Sequence, residues 1–143
     1  MTSREASAHA AVGLRPRLDM PFELLESKLR PPRLSRRTVP REALVTQLEQ
    51  AEDSPIVVVC AGAGYGKTTL LAEVAISGDL PVAWLTVDET DNDPSVFLRH
   101  VAIAVSGAGG LDEPPSTPAR LRRALRAGPP IRIVLDDLQN LEN

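Results

Sequence analysis

The chain has 143 residues, which is long enough for one domain with one core, and its formal net charge is −3. Apolar residues make up 43% of the sequence, so a chain that is disordered throughout is excluded. The charge gives no overall reason to expect binding to nucleic acid or a membrane, and no apolar stretch is long enough to span a bilayer. There is no apolar signal segment, and the single cysteine fits a reducing cytoplasm.

The N-terminal part of the chain is predicted to lack a core of its own. Residues 1–27 mix Ala, Ser, Arg and Pro without a period, which predicts a disordered tail. Residues 28–41 carry a basic strip, and prolines keep it extended. The strip is either a solvated linker or a segment that lies on the domain that follows. Its basic residues are Lys28, Arg30, Arg33, Arg36, Arg37 and Arg41.

Residues 28–143, which include the basic strip, are predicted to belong to an α/β domain. Helices are expected at 40–52, 68–76, 95–106 and 117–127, and buried strands at 56–60, 82–87 and 131–135. Alternating strands and helices favour a parallel sheet covered by helices on both faces. Cys60 is expected to pack in the core, and His100 to be a partly exposed helix residue rather than a ligand. The arginines of the last helix are expected to point at water; they are Arg120, Arg122, Arg123 and Arg126.

A glycine-rich loop follows the first predicted strand and matches the Walker A spacing, with Ala in place of the first Gly. A loop without bulky side chains turns its N–H groups inward and cradles phosphate, and the helix behind it adds its N-terminal dipole. Lys67 is expected to reach the β- and γ-phosphates, Thr68 to ligate Mg²⁺, and Thr69 to approach the α-phosphate. The predicted phosphate-binding residues are Ala61, Gly62, Ala63, Gly64, Tyr65, Gly66, Lys67, Thr68 and Thr69.

The last predicted strand ends in two acids, as a Walker B strand does. Asp136 is expected to hold Mg²⁺ through water, and Asp137 lies where related ATPases place the acid that polarises the attacking water. The simpler alternative is two solvated acids after a core strand. An Asp is shorter than a Glu, so slow or absent hydrolysis is expected.

Five segments of the sequence carry a resemblance to a known family. The loop at residues 61–71 reads AGAGYGKTTLL, and residues 83–89 read AWLTVDE, followed by DNDP at 91–94. The others are residues 28–33 (KLRPPR), 39–41 (VPR) and 134–137 (VLDD). Together these segments resemble MalT-like regulators, which are STAND-class P-loop ATPases often called large ATP-binding LuxR-family transcriptional regulators. Gly62 departs from the pattern, because these regulators usually have Pro there.

The resemblance implies a P-loop NTPase-type sheet of order 5-1-4-3-2 and a bound ATP or ADP with Mg²⁺. It places Val39, Pro40 and Arg41 near the adenine and ribose. It also implies that the fourth strand, the sensor residue and a DNA-binding helix-turn-helix lie beyond residue 143, so the chain is expected to be a marginally stable fragment. DNA would then be contacted only through that absent part, and any oligomer would form in the full-length protein.

Three functions remain open at this stage. The first is the nucleotide-binding part of a nucleotide-switched regulator, and the second is a working NTPase with Asp137 as the catalytic acid. A kinase is less favoured because no acceptor site is evident, and the third alternative is a remnant without function of its own. GTP stays open beside ATP, although no Asn-Lys-x-Asp guanine motif occurs. For residues 88–94 the open alternative is an ordinary polar turn that caps the next helix.

Overall fold

The structure is a computed structural model, and it describes residues 26–51, 54–109 and 111–142. Residues 1–25 of the predicted tail therefore lie outside the described residues. Residues 26–28 form a helical turn. Four longer helices follow: α1 (Glu42–Gln50), α2 (Lys67–Ser77), α3 (Pro94–Gly109) and α4 (Pro118–Ala127). The strands are β1 (Val82–Thr86) and β2 (Arg132–Asp136), and two short 3₁₀ helices are η1 (Glu89–Asn92) and η2 (Leu138–Asn140).

The helix ends follow from local chemistry. The Asp93 carboxylate accepts the backbone N–H of Ser95 at 2.8 Å and so caps the start of α3. Thr117 caps α4 by accepting the N–H of Arg120 at 3.3 Å, with Pro118 at the first helical position as predicted. All four arginines of α4 are exposed, also as predicted.

The two strands form a parallel pair in the register Val82↔Arg132 to Thr86↔Asp136. Helices α3 and α4 lie between them in the chain, because parallel neighbours need a long crossover. The pairing agrees with the strand order that the resemblance implies, in which the second strand neighbours the third. Fold class α/β with a parallel sheet is therefore confirmed.

Both faces of the strand pair are covered. One cluster joins Leu85 and Val87 to the buried side of α3, including Val101 and Val105, and to Leu121 of α4. The other cluster packs Ala72 of α2 against Trp84 and Val134. Successive side chains of β1 thus point to opposite faces, as an extended strand requires. The sole tryptophan is only 1% exposed and belongs to the second cluster.

The prediction of a buried strand at residues 56–60 is wrong in this structure. The segment pairs with no other strand among the described residues, and Ile56 and Val58 are 79% and 73% exposed. Cys60, predicted to pack in the core, is exposed as well. A strand is stabilised by its neighbours, and no described strand lies beside this segment, so its apolar residues remain outside the two clusters. In the described part of the chain, no helix combines the length and apolarity needed to cross a lipid bilayer.

Candidate functional site

The phosphate loop, residues 61–69, joins the exposed apolar segment to α2. Gly64 and Gly66 have φ values of +80° and +73°, a backbone region that residues with a Cβ rarely adopt. The alternation of left-handed and ordinary residues curves the chain into the kind of concave turn that binds anions. The glycines are thus required by the turn itself, and the loop leads directly into the first residue of α2.

Lys67 begins α2 and folds its side chain back over the loop. Its Nζ donates to the carbonyl oxygens of Ala61 at 2.9 Å and of Gly62 at 3.1 Å. No carboxylate among the described residues pairs with this ammonium group. A cation held only by neutral carbonyls can exchange them for an anion at little cost, because the anion repays the lost hydrogen bonds with charge.

The start of α2 is open to a ligand. No side chain caps it, since its N-cap residue is Gly66. The hydroxyls of Thr68 and Thr69 make no hydrogen bond to any residue that the structure describes, although both residues are half-buried. Free N–H groups and a free hydroxyl at a helix N-terminus suit a phosphate and its magnesium ion.

Arg41 is hydrogen-bonded to the loop, whereas Val39 makes no hydrogen bond to it among the described residues. The Arg41 Nη1 donates to the carbonyl oxygen of Tyr65 at 2.8 Å, and its backbone N–H donates to Glu73 Oε2 at 3.2 Å. Val39 is 78% exposed and has no hydrogen bond among the described residues. The structure thus brings Arg41 to the predicted site and leaves the position of Val39 relative to a nucleotide a prediction.

Asp136 is the last residue of β2 and is only 3% exposed. Its Oδ2 is buried and has no hydrogen-bond partner among the described residues. Among the described residues, no hydrogen bond or ion pair joins it to the phosphate loop, but α2 packs against β2 through Ala72 and Val134. A buried carboxylate oxygen without a partner fits the water shell of Mg²⁺, a cation that prefers oxygen ligands.

Replacing Asp136 with asparagine is expected to leave the free energy of unfolding without nucleotide unchanged or to raise it by about 1 kcal/mol, because a buried carboxyl oxygen without a hydrogen-bond partner is costly. Denaturant unfolding followed by the fluorescence of Trp84 measures this. Asp137→Asn is the matched control, since the Asp137 carboxylate already has a partner. A loss of more than about 2 kcal/mol would contradict the account, because it would mean that Oδ2 is hydrogen-bonded in solution.

Asp137 follows β2 with an unusual backbone conformation. Its φ is 58° and its ψ is 35°, and it is the sole residue other than glycine with positive φ in the described ranges. Asp and Asn tolerate this conformation better than most residues. Its Oδ1 accepts a hydrogen bond from Gln139 Nε2 at 2.8 Å. The half-buried carboxylate is therefore held by its own turn.

Sequence reasoning missed a buried ionic cluster around Lys28. The sequence places Lys28 in a solvated or surface-lying strip, but its side chain is only 5% exposed. Its Nζ lies 2.8 Å from Asp88 Oδ1 and 2.6 Å from Asp91 Oδ2. Asp91 also accepts the Asp88 N–H at 2.9 Å, which completes a capping box on η1. The turn at residues 88–94 thus caps helices, as the simpler interpretation predicts, and in addition binds Lys28.

His100 is part of the same cluster, so its prediction as a partly exposed residue is wrong. It is 1% exposed, and its Nδ1 lies 2.7 Å from Asp91 Oδ1. Its position three residues after Phe97, on the apolar face of α3, is the signal that could have shown its burial.

The ionised forms of both aspartates are favoured in this cluster. Burial alone would raise the pKa of Asp91, but hydrogen bonds from Lys28, the Asp88 backbone and His100 outweigh it and bring the pKa below its ordinary value of 3.8. For Asp88, burial likewise raises the pKa, and hydrogen bonds from Lys28 and Thr90 lower it further than burial raises it.

These features define an α/β protein in which a glycine-rich loop leads into a helix and a strand ends in a buried acid. Comparison with known proteins narrows that class. The chain is 37% identical over 87 residues to the HTH-type transcriptional regulator MalT of Cronobacter sakazakii. The 87 aligned residues make up 61% of this chain and 10% of that protein. The same identity and coverage hold for MalT of Klebsiella pneumoniae and of Serratia proteamaculans.

The resemblance to MalT-like regulators is therefore confirmed over this stretch. The chain spans about a tenth of the length of the curated relatives it matches. No protein-family model matches the chain. No solved structure matches it either.

Proposed function

We propose that this chain is the ATP- or ADP-binding part of a nucleotide-switched transcriptional regulator of the MalT type, with a P-loop NTPase-type fold and Mg²⁺ as the metal. The observation that carries the proposal is the phosphate loop. Two glycines with positive φ lead into a helix whose first side chain, Lys67, has only carbonyl partners among the residues that the structure describes. The part of the proposal that concerns transcriptional regulation is supported by the relatives, which are named HTH-type transcriptional regulators.

In this proposal each residue has a definite task. The loop and the start of α2 would donate N–H groups to the phosphates, and Lys67 would move from the carbonyls of Ala61 and Gly62 to phosphate oxygens. Thr68 and Asp136 would hold Mg²⁺, directly and through water, and Mg²⁺ would neutralise the phosphate charge. DNA binding would belong to a helix-turn-helix outside this chain, in a cytoplasmic protein.

A switch needs a nucleotide that binds one of two conformations more tightly than the other. ADP and ATP differ in one phosphate, so residues around the phosphates are the ones that can tell them apart. The exposed apolar segment at residues 56–60 leads straight into this loop, which would give a conformational change there a direct route to the loop.

Turnover separates this proposal from the working NTPase. Because Asp137 is shorter than Glu and is held by Gln139, we expect purified chain with ATP and Mg²⁺ to release phosphate no faster than its Asp137→Asn variant. A coupled phosphate-release assay measures both rates. Asn keeps the left-handed backbone accessible, so the comparison isolates the carboxylate.

A phosphate-release rate that falls at least tenfold in Asp137→Asn would overturn this expectation and make the chain an enzyme. The third alternative, a remnant without function, predicts that neither ATP nor ADP binds. A titration with fluorescent ADP distinguishes that alternative before turnover is measured.

A further inference from the structure

Arg41 places its guanidinium directly on the phosphate loop. Nη1 donates to the Tyr65 carbonyl at 2.8 Å, and Nη2 lies 2.7 Å from the point where a Cβ on Gly66 would stand. Lys67 donates to Ala61 and Gly62 at the start of the same turn, so two cationic side chains contact the loop at different residues. Any side chain at position 66 would collide with the guanidinium as well as strain the backbone.

The guanidinium of Arg41 has no counter-ion in the part of the chain that the structure describes. None of the ion pairs among the described residues includes Arg41, and its side chain makes a single hydrogen bond, to a neutral carbonyl. Most of its N–H donors are therefore free. A half-buried arginine without a carboxylate partner, next to an anion-binding turn, is completed by an anion.

The backbone of Arg41 is held in place independently of its side chain. Its N–H donates to Glu73 Oε2 of α2 at 3.2 Å, and its carbonyl accepts the N–H groups of Leu44 and Val45 at 2.9 and 3.0 Å. Arg41 is thus the N-cap residue of α1 and is fixed to the helix that the loop begins, while its side chain caps nothing. Substitutions of the side chain should leave these backbone contacts intact.

We propose that Arg41 is a phosphate ligand: its guanidinium binds the phosphate chain of the nucleotide beside Lys67. This rests on the proposed function. It differs from the place near adenine and ribose that the resemblance implies, because the observed partner of the side chain is the loop itself. A planar fork with free donors binds two oxygens of one phosphate at once, which a lysine cannot do.

The test measures, by calorimetry in the presence of Mg²⁺, the affinity of each variant for two ligands. One ligand is ADP, and the other is inorganic tripolyphosphate, which lacks the nucleoside. The variants are Arg41→Ala, Arg41→Lys and Arg36→Ala, with Lys67→Ala as the site control. Arg36 is the matched control, because it lies in the same basic strip, is exposed and has no hydrogen-bond or ion-pair partner among the described residues. We expect Arg41→Ala to lower the affinity for both ligands by about tenfold, and Arg41→Lys to lower both by less. Arg36→Ala should change neither affinity.

Two results would overturn the role of Arg41 while leaving the proposed function intact. Arg41→Ala could weaken ADP but not tripolyphosphate, which would place the side chain on the nucleoside. Arg41→Ala could also leave both affinities unchanged while Lys67→Ala loses them. If the unmodified chain binds neither ligand, the proposed function itself is wrong and the Arg41 assignment falls with it.

Discussion

Replacing Lys67 with alanine is expected to weaken the binding of ADP with Mg²⁺ on the order of 100-fold, the largest effect of any single substitution in the site. The ammonium group donates to the carbonyls of Ala61 and Gly62 at 2.9 and 3.1 Å, and no carboxylate of the described residues pairs with it. Phosphate oxygens would replace these neutral partners with charged ones, so alanine removes a charge-assisted contact rather than an ordinary one. Isothermal titration calorimetry measures the change.

The control for this substitution is Arg126→Ala in α4. It also removes one positive charge, from an exposed arginine cluster that includes Arg122 and Arg123 and lines an open pocket of about 430 Å³. Affinity for ADP should not change. Equal losses in the two variants would mean that ADP is bound by general positive charge, and an unchanged Lys67→Ala would mean that the loop is not the site.

Replacing Lys28 with methionine is expected to lower the free energy of unfolding by about 3–5 kcal/mol. Methionine preserves most of the aliphatic stem but removes the ammonium that lies 2.6 Å from Asp91 Oδ2 and 2.8 Å from Asp88 Oδ1. The Asp91 side chain is fully buried, so its carboxylate would keep only His100 and the Asp88 N–H as partners. Denaturant unfolding followed by Trp84 fluorescence gives the difference.

Arg30→Met is the matched control, because Arg30 pairs with Glu26 at 3.3 Å on the surface, where its side chain is 72% exposed. Its loss should stay below about 1 kcal/mol. Similar losses for the two variants would show that the Lys28 cluster contributes little.

The effect of Lys28→Met should also depend on pH. The folded pKa values of Asp88 and Asp91 are below the ordinary value of 3.8, so the stability they contribute is present above that value and is lost as pH falls through the folded pKa values. The difference between the unmodified chain and Lys28→Met should therefore be largest near neutral pH and shrink in acid. A difference that is the same at acid and neutral pH would contradict the assignment to ionised aspartates.

Elements with local signals could be predicted from the sequence. The helix predicted at 117–127 corresponds to α4 (Pro118–Ala127), because Thr117 and Pro118 are chemical start signals and Gly128 follows its end. The strands predicted at 82–87 and 131–135 agree with β1 and β2 to within one residue at each end. Their apolar runs are bounded by turn residues, so position and length were both fixed locally.

Features that depend on distant partners could not be predicted in the same way. Residues 56–60 have the composition of a buried strand, but a strand also needs a neighbour, and none of the described strands pairs with it. The burial of Lys28 depends on Asp88 and Asp91, which are distant in the sequence. Its hydrogen bond to Thr90, in the same turn, spans 62 residues. A charge run by itself does not show which of its members has a buried partner.

The candidate site divides along the same line. The loop glycines, Lys67, Thr68 and Asp136 were predicted from a motif, and the structure places them in a curved loop, at a helix start and at a strand end. The strand that the motif requires before the loop is not formed by residues 56–60, and the binding roles of these residues stay predictions. The contact of Arg41 with Tyr65 spans 24 residues and depends on how α1 and α2 pack, so the sequence alone placed Arg41 only by resemblance.

The measurement that tests the central claim most directly is a backbone amide chemical-shift map of the ¹⁵N-labelled chain, recorded with and without ADP and Mg²⁺. The chain has a mass of 15.4 kDa, which suits the method. If the phosphate loop binds the nucleotide, the largest shifts will fall on Gly64, Gly66, Lys67, Thr68 and Thr69. Shifts that cluster instead at the arginines of α4, or no shifts at saturating ADP, would contradict the account.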